Sequence, residues 1–489
     1  MLRRGGRLAL AAAATPPLAA LTACGSNESP KKPNWRQLAK SLRGRLLRPG
    51  EAGFTAASDA ENDLYAKVVP GAVAMCAGPP DVRTAILWAR DHGIPLVARS
   101  GGHSFGGYSR TTGLQIDLNS MKSASVDPSA GTLRVGGAVR FQELDTVLKP
   151  HNLFFPAGQC PPVGVNGFAL GGGFGFYSRA HGLTADQLIQ TDVVLASGET
   201  VTADATHHPD LYWACRGGGG GNFGINTSMT FSLFGVGNVS VCTCEWKKNV
   251  ESVVNEFQKL FVNAPSTFSL IVRMTPPDHG SGAGGTLVTA LGHYFGPSSD
   301  LMAILDPVLS KETPSKREFL DLDFWSARHY LADLPGPPHS YVERSRYVPG
   351  PMSEAGVAAL IDRSNRYPGN GPAQARLDYW LWSGAMDTPA PDATAFVHRN
   401  DLSLFAVSGS WNPSASKHEV QPIVDWVNGT WAAVGPHSSD FAYQNFIDPA
   451  LKDWQKAYYG SNLARLIEVK RRYDPHDLFH FAQSIPTGG

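Results

Sequence analysis

The chain predicts an α+β fold of two domains, and three observations carry that prediction. A β-α-β unit lies between Ala72 and Arg99. A hairpin with a Ser197-Gly198 turn lies between Leu188 and Ala203, among short mixed elements. Near residues 236–240 the pattern changes, and longer strands then alternate with amphipathic helices. Strands and helices that are not in strict βαβ order predict an antiparallel sheet with helices on one face. At 489 residues the chain has room for two or three domains of about 150 residues.

Residues 36–48 carry Arg and Leu at helical spacing. Ala72 to Cys76 is a short apolar run that reads as a strand. Pro79-Pro80-Asp81 opens a helix with Asp81 as N-cap, and Val82, Ala85, Ile86 and Ala89 repeat at helical spacing until Gly93 and Pro95. Leu96 to Arg99 is the next strand. Leu114 to Leu118 and Thr132 to Val135 come next as strands, and Val139 to Leu148 as a helix. Met229 to Leu233 closes the first domain. The second has strands at 241–246, 268–274, 287–294, 375–382 and 402–410, and helices at 250–261, 301–309, 352–364 and 419–434. The expected bounds are 35–238 for the first domain and 239–438 for the second. A tail, 439–489, returns to the first.

Lys plus Arg and Asp plus Glu both number 42, so the chain has no basic excess. That argues against a nucleic-acid or anionic-membrane surface. Hydrophobic residues at 42% permit a substantial core. Residues 1–24 read as an export signal: Arg3, Arg4 and Arg7 precede an Ala/Leu stretch broken by Pro16 and Pro17, too short to span a bilayer. Leu21-Thr22-Ala23-Cys24 resembles a bacterial lipobox, so Cys24 is the expected lipid anchor, and Arg3-Arg4 suggests the twin-arginine route. Residues 25–34 form a polar tether. Export would permit a disulfide among Cys76, Cys215, Cys242 and Cys244, but spacing cannot choose partners.

Two glycine-rich stretches hold the chemistry. Arg99-Ser100-Gly101-Gly102-His103-Ser104-Phe105-Gly106-Gly107 presents an imidazole. Gly158-Gln159-Cys160-Pro161-Pro162-Val163-Gly164, running into Gly171-Gly172-Gly173-Phe174-Gly175, presents a thiol. Such glycines let backbone approach a ligand and aim N–H groups at oxyanions. With Tyr473-Asp474-Pro475 and Phe481-Ala482-Gln483-Ser484-Ile485-Pro486, these stretches resemble the berberine-bridge-enzyme-like branch of the vanillyl-alcohol-oxidase flavoproteins. The resemblance covers nearly the whole mature chain. It implies a PCMH-type FAD-binding fold whose antiparallel substrate sheet roofs the flavin. It implies FAD attached twice, at the 8α-methyl through His103 and at C6 through Cys160. The implied contact set is Arg99, Ser100, Gly101, Gly102, Ser104, Gly158, Val163, Gly164, Gly167, Gly171, Gly172, Gly175, Leu183, Asp186, Gly221, Gly224, Ile225, Tyr459 and Asn462. In that family a small branched residue at the position of Val163 goes with oxygen access, which favours an oxidase.

The family often takes its base from a Tyr-x-Asn-Tyr stretch. Here the chain reads Tyr443-Gln444-Asn445-Phe446, and Phe174 stands where some relatives have tyrosine. Phenylalanine cannot take a proton, so only Tyr443 carries over, with Asn445 as a cavity residue. Asp378 is a second candidate, to serve as base or tune Tyr443; its bland alternative is an edge-strand surface residue. Trp325, Tyr330, Tyr379, Trp380 and Trp382 are candidate substrate walls, since aromatic faces suit sugars and flat rings.

Other motifs carry less. Gly219-x-Gly221-x-x-Gly224 matches a dinucleotide fingerprint, but leads into a strand-like run where that motif requires a helix. Gly102-His103-Ser104-Phe105-Gly106 matches a serine nucleophile elbow, yet the run from Gly106 to Gly113 forms helix poorly. His476-x-x-x-His480 has metal-pair spacing without the usual glutamate and reads as a packed helix end, and His207-His208 as a surface turn. No metal is expected. The sequence thus points to an exported FAD-dependent oxidase that passes hydride from an alcohol carbon of a carbohydrate to flavin and on to dioxygen, with release of hydrogen peroxide. Oxidation or ring closure of a secondary metabolite is the alternative substrate reading, and an exported serine esterase the alternative class.

Overall fold

A computed structural model describes residues 33–278, 284–334, 336, 339–369 and 375–488. The expected export signal, Cys24 and most of the expected tether lie outside these. From Trp35 onward the chain packs as one compact body.

The β-α-β unit forms as the sequence predicts. Ala72–Met75 and Leu96–Arg99 both pair in parallel with Leu114–Asp117, and Pro79–Asp91 is the crossover helix. Two local expectations change. The 36–48 run does not stay helical: Trp35–Ser41 is helix, and Arg45–Leu47 is a strand antiparallel to Ala72–Met75. Gly44 allows the break, because a Cβ there would lie 1.9 Å from the Met75 carbonyl oxygen. Nor is Asp81 the N-cap. Gly78 holds that place, and the two prolines occupy the first turn, where an N–H is dispensable. The freed Asp81 carboxylate accepts backbone N–H bonds from Arg43, Gly44 and Ala77 at 2.8–2.9 Å. Those bonds outweigh its burial and hold its carboxyl below the usual range.

A second, antiparallel sheet runs in the order Ala124–Asp127, Thr132–Gly136, Ile225–Ser232, Leu188–Val194, Thr200–Asp204. The 188–203 hairpin is present, and Ile225–Ser232 follows the Gly219–Gly224 stretch as a strand, as expected against a Rossmann unit. The predicted helix at 139–148 is instead two short pieces, Phe141–Glu143 and Asp145–Leu148.

The roof is a seven-stranded antiparallel sheet in the order Lys316–Leu322, Val239–Trp246, Leu287–Tyr294, Phe268–Thr275, Ala375–Leu381, Ser403–Trp411, Ser340–Val348. Alternation along each strand sorts its two faces. In Ala375–Leu381, Leu377, Tyr379 and Leu381 enter the core, whereas Arg376, Asp378 and Trp380 face the other way. The core face is covered by the helices Val250–Val262, Ser298–Lys311, Glu354–Asn365 and Lys417–Val434. They bury Val253, Phe257, Leu305, Leu360, Trp426 and Val427 against it. Each fully buried apolar side chain of this size contributes about 1.5–3 kcal/mol. Cys242 and Cys244 share that core face, and Cys76, Cys160, Cys215, Cys242 and Cys244 are all free thiols.

Buried polar groups lock roof to floor. The Arg179 guanidinium donates to the carbonyls of Ala264, Pro265, Phe268 and Trp382. The tail is anchored by Lys470, whose ammonium donates to the carbonyls of Asn222 and Phe479 and pairs with Asp474 at 2.7 Å, both side chains fully buried. His476 and His480 are not on a helix, since the last one ends at Tyr473; Phe479 enters the core beside them.

Candidate active site

The His103 loop leaves the strand Leu96–Arg99 and reaches no helix; the next regular element is the strand Leu114–Asp117. A nucleophile elbow therefore does not form. This loop meets the Cys160 loop backbone to backbone. A Cβ on Gly101 would lie 2.4 Å from the Gly164 amide nitrogen, and one on Gly164 would lie 2.6 Å from the Gly101 nitrogen and the Ser100 Oγ. Only glycine at both places lets segments about sixty residues apart close into one wall. His103 and Cys160 consequently line the same cavity, of about 750 Å3, inside the range of about 300–1,000 Å3 of ligand sites.

Of the residues singled out in the sequence, Ser100, Gly101, Gly102, Ser104, Gly158, Val163, Gly164, Gly167, Gly221, Gly224 and Ile225 line this cavity with His103 and Cys160. The others stand behind the wall. Arg99 is buried beneath Gly102, bonded to Asp117 and to the carbonyls of Ala57 and Asp59. Gly171 makes room for Asn445, Gly172 for Phe396 and Gly175 for the Ala157 carbonyl. Asp186 accepts from the Leu183 amide and pairs with both terminal nitrogens of Arg399, and Leu183 packs in the aromatic cluster around Tyr443. The Asn462 amide holds the carbonyls of Pro391, Thr394 and Ala395, and the Tyr459 hydroxyl backs Gly219. These eight are braces for the wall, not its surface.

The cavity fits an FAD. Its wall is glycine backbone at Gly101, Gly102, Gly164, Gly167 and Gly220–Gly221. Several buried polar atoms of its lining residues have no partner: Ser100 Oγ, Ser109 Oγ, Asn166 Oδ1 and Gln444 Oε1. Unpaired buried acceptors and donors are costly unless a ligand or water meets them. Burial holds the His103 imidazole below its ordinary pKa; Glu61 opposes this, and Arg140 and Arg99 add to it, so the site favours the neutral ring. Burial pushes the Cys160 thiol up to about 12, helped by Asp333 and Glu61 and opposed by Arg376.

The roof contributes side chains. Strand register sets Arg376 opposite Ser408 and Ser408 opposite Glu343; the next row is Arg273, Asp378, Ala406 and Ser345. Asp378 is not an edge residue. Its strand lies inside the sheet, it is 5% exposed, and Arg273 donates to both its carboxylate oxygens at 2.6 and 2.9 Å. Burial raises its pKa, but Arg273 and Arg376 outweigh that and hold it below the usual range. An acid so strongly paired is a weak base. Glu343 differs. It lines the cavity and makes no hydrogen bond or ion pair among the described residues. Burial raises its pKa to about 7, with Arg376 opposing and Asp378 and Asp333 adding. Sequence reading missed it because the strand Ser340–Val348 was not foreseen; its signal was Tyr341, Glu343, Ser345 and Tyr347 alternating on one face.

Tyr443 is fully buried. Its oxygen accepts from the Gly173 amide at 3.0 Å and from Asn445 Nδ2 at 2.9 Å. Burial outweighs those bonds and raises its pKa, so it is a phenol whose own O–H remains to donate. Phe446 stacks on Phe105 with centroids 5.3 Å apart, and Phe174 packs edge-on against Tyr443, Trp380 and Trp382. Of the five expected aromatic walls only Trp380 lines the cavity. Tyr379 and Trp382 are buried elsewhere, Trp325 packs outside the cavity lining, and the Tyr330 hydroxyl engages Thr243 and Glu318.

Comparison with known proteins agrees with this geometry. The family described as "FAD binding domain" matches residues 70–204, and "Berberine and berberine like" matches 442–486. The FAD-linked oxidoreductase YgaK of Bacillus subtilis is 30% identical over 91% of this chain and 97% of its own length. Glucooligosaccharide oxidase of Sarocladium strictum is 29% identical over 85% of this chain and 87% of its own. Among solved structures, BBE-like 1 of Physcomitrella patens superposes with a TM-score of 0.83 at 30% identity, covering 93% of this chain and 99% of its own. With two glycine loops closing one cavity under an antiparallel roof, and with these relatives spanning it end to end, the chain belongs to the berberine-bridge-enzyme-like family of FAD-linked oxidoreductases.

Proposed function

We propose that this chain is an exported oxidase that holds FAD through His103 and Cys160 and oxidises an alcohol carbon of a mono- or oligosaccharide, with dioxygen as acceptor and hydrogen peroxide as product. The observation that carries the reading is the meeting of the two loops at Gly101 and Gly164, which aims an imidazole and a thiol into one cavity. Relatives named for glucooligosaccharide and xylooligosaccharide oxidation support the substrate class. Export, and acylation at Cys24, rest on residues 1–24.

The bound flavin supplies the hydride acceptor. The chain's residues do the rest. Glu343 takes the substrate hydroxyl proton, as a base with a pKa near working pH does best. Tyr443, fixed by Gly173 and Asn445, donates its O–H at the floor. Arg376 and Arg273 offer donors to sugar oxygens, while the Arg273–Asp378 pair keeps that part of the roof rigid. The apolar patch of Phe105, Phe446, Phe174 and Trp380 favours the second reading, a flat secondary metabolite.

Peroxide release over a panel of sugars tests the activity, and mass spectrometry of the mature chain tests the links and Cys24. His103→Ala and Cys160→Ala are each expected to keep one covalent flavin, and the double variant to release it on acid precipitation. Unmodified peptides at both places in a flavin-replete wild type would overturn the attachment; no peroxide from any sugar would favour the metabolite.

A further inference from the structure

Glu61 lies forty-two residues before His103, on a segment outside both glycine stretches, yet it reaches the same point of the cavity. Its Oε2 lies 4.0 Å from His103 Nδ1 and accepts a hydrogen bond from the Tyr341 hydroxyl at 2.7 Å. The placement is held from three sides. The Glu61 amide donates to the Gly102 carbonyl. The Asn62 side chain donates to the Tyr341 carbonyl and accepts from its amide. Asn62 also bridges to His339. First domain, His103 loop and roof strand therefore converge on one carboxylate that lines the cavity.

Resting on the reading that His103 bonds to flavin, we infer that Glu61 is the base that drives this attachment: the carboxylate takes the imidazole proton as the ring nitrogen bonds to the 8α-methyl carbon. In that step one N–C bond forms. One hydrogen leaves the methyl group and one leaves the imidazole. The two electrons enter the flavin ring system and pass to dioxygen, giving hydrogen peroxide. A neutral imidazole, which burial favours here, is the nucleophile this requires. The 4.0 Å gap is a small side-chain movement from contact, as is common for proton-transfer pairs before the ligand is in place. Tyr341 holds the carboxylate in place through Oε2, the same oxygen that stands 4.0 Å from the imidazole.

The test uses full-length chain carrying Cys160→Ala, so that only the histidyl link is scored. Protein made under riboflavin limitation is mixed with FAD. Flavin that survives acid precipitation is followed over time, the His103 peptide is weighed, and flavin retained through gel filtration reports non-covalent binding. Adding Glu61→Gln is expected to leave binding intact and slow attachment by about 10²-fold, the lower range for loss of a general base. Glu61→Asp is expected to restore part of the rate. Attachment by the Gln variant at the parent rate would overturn the inference. So would loss of non-covalent binding, which would assign Glu61 to folding. If the Cys160→Ala parent itself never links flavin, the histidyl attachment fails instead.

Discussion

The cavity has two long walls of different material. The floor is backbone: Ser100 to Gly102 and Gly164 in contact, with Gly167 and Gly220–Gly221 alongside. The roof is side chains on one face of a sheet: Arg273, Glu343, Arg376, Asp378 and Trp380, placed by strand register. The glycine backbone of the floor only shapes and holds, and its reactive groups are the few side chains set among it, His103, Cys160 and Tyr443. The roof can be rewritten one residue at a time without disturbing the core on its other face, because period-two alternation separates the two sets. This division explains how a common flavin cradle can serve different substrates.

The largest effect is expected at the floor. Gly101→Val puts a side chain where the Gly164 amide already is, and neither backbone has room to yield. Loss of essentially all bound flavin is expected, read as the flavin-to-protein absorbance ratio, with the thermal midpoint falling as well. A yellow, active Gly101→Val protein would show that the loops do not need this contact.

At the roof, Glu343→Gln is expected to keep full flavin content and lose about 10²–10⁴-fold in kcat. Wild-type turnover should rise with pH through about 7, where Glu343 loses its proton, and the Gln variant should lack that limb. Stability moves the other way. The folded pKa of about 7 lies above the unfolded 4.5, so the native state binds the extra proton and this group's contribution declines as pH rises between the two values. The slope should vanish in Glu343→Gln.

A finer test is Asp378→Asn. Removing that charge takes away an influence that raises the Glu343 pKa and leaves Arg273 without its partner, while Arg376 keeps Asp333, so the acid limb should move below pH 7. The stability cost should be under the about 3–5 kcal/mol of breaking a fully buried pair, because Arg273 keeps partial solvent contact. An unmoved limb would separate Asp378 from the base.

The floor was largely legible before the structure. Glycine clusters declare close backbone approach, and His103 and Cys160 stand inside them. Even so, eight residues expected to touch the cofactor brace the wall from behind, since motif proximity cannot tell a surface from the layer supporting it. Arg99 and Asp186 show why: each is spent on a buried charge partner distant in sequence, Asp117 and Arg399. At the roof Asp378 was singled out, but its pairing with Arg273 depends on the register of two strands about a hundred residues apart. Glu343 went unseen with its strand, whose charged residues mask an edge position.

The residues alone determined the class of fold, the period of most elements, and which two nucleophiles sit among glycines, because these follow from local backbone preference and side-chain pattern. Tertiary structure decided that the two loops share a wall, that Asp378 is paired while Glu343 has no ion pair among the described residues, and that Glu61 stands beside His103. Each of those depends on a distance between segments far apart along the chain, which is set by packing of the whole body and by no neighbouring residue.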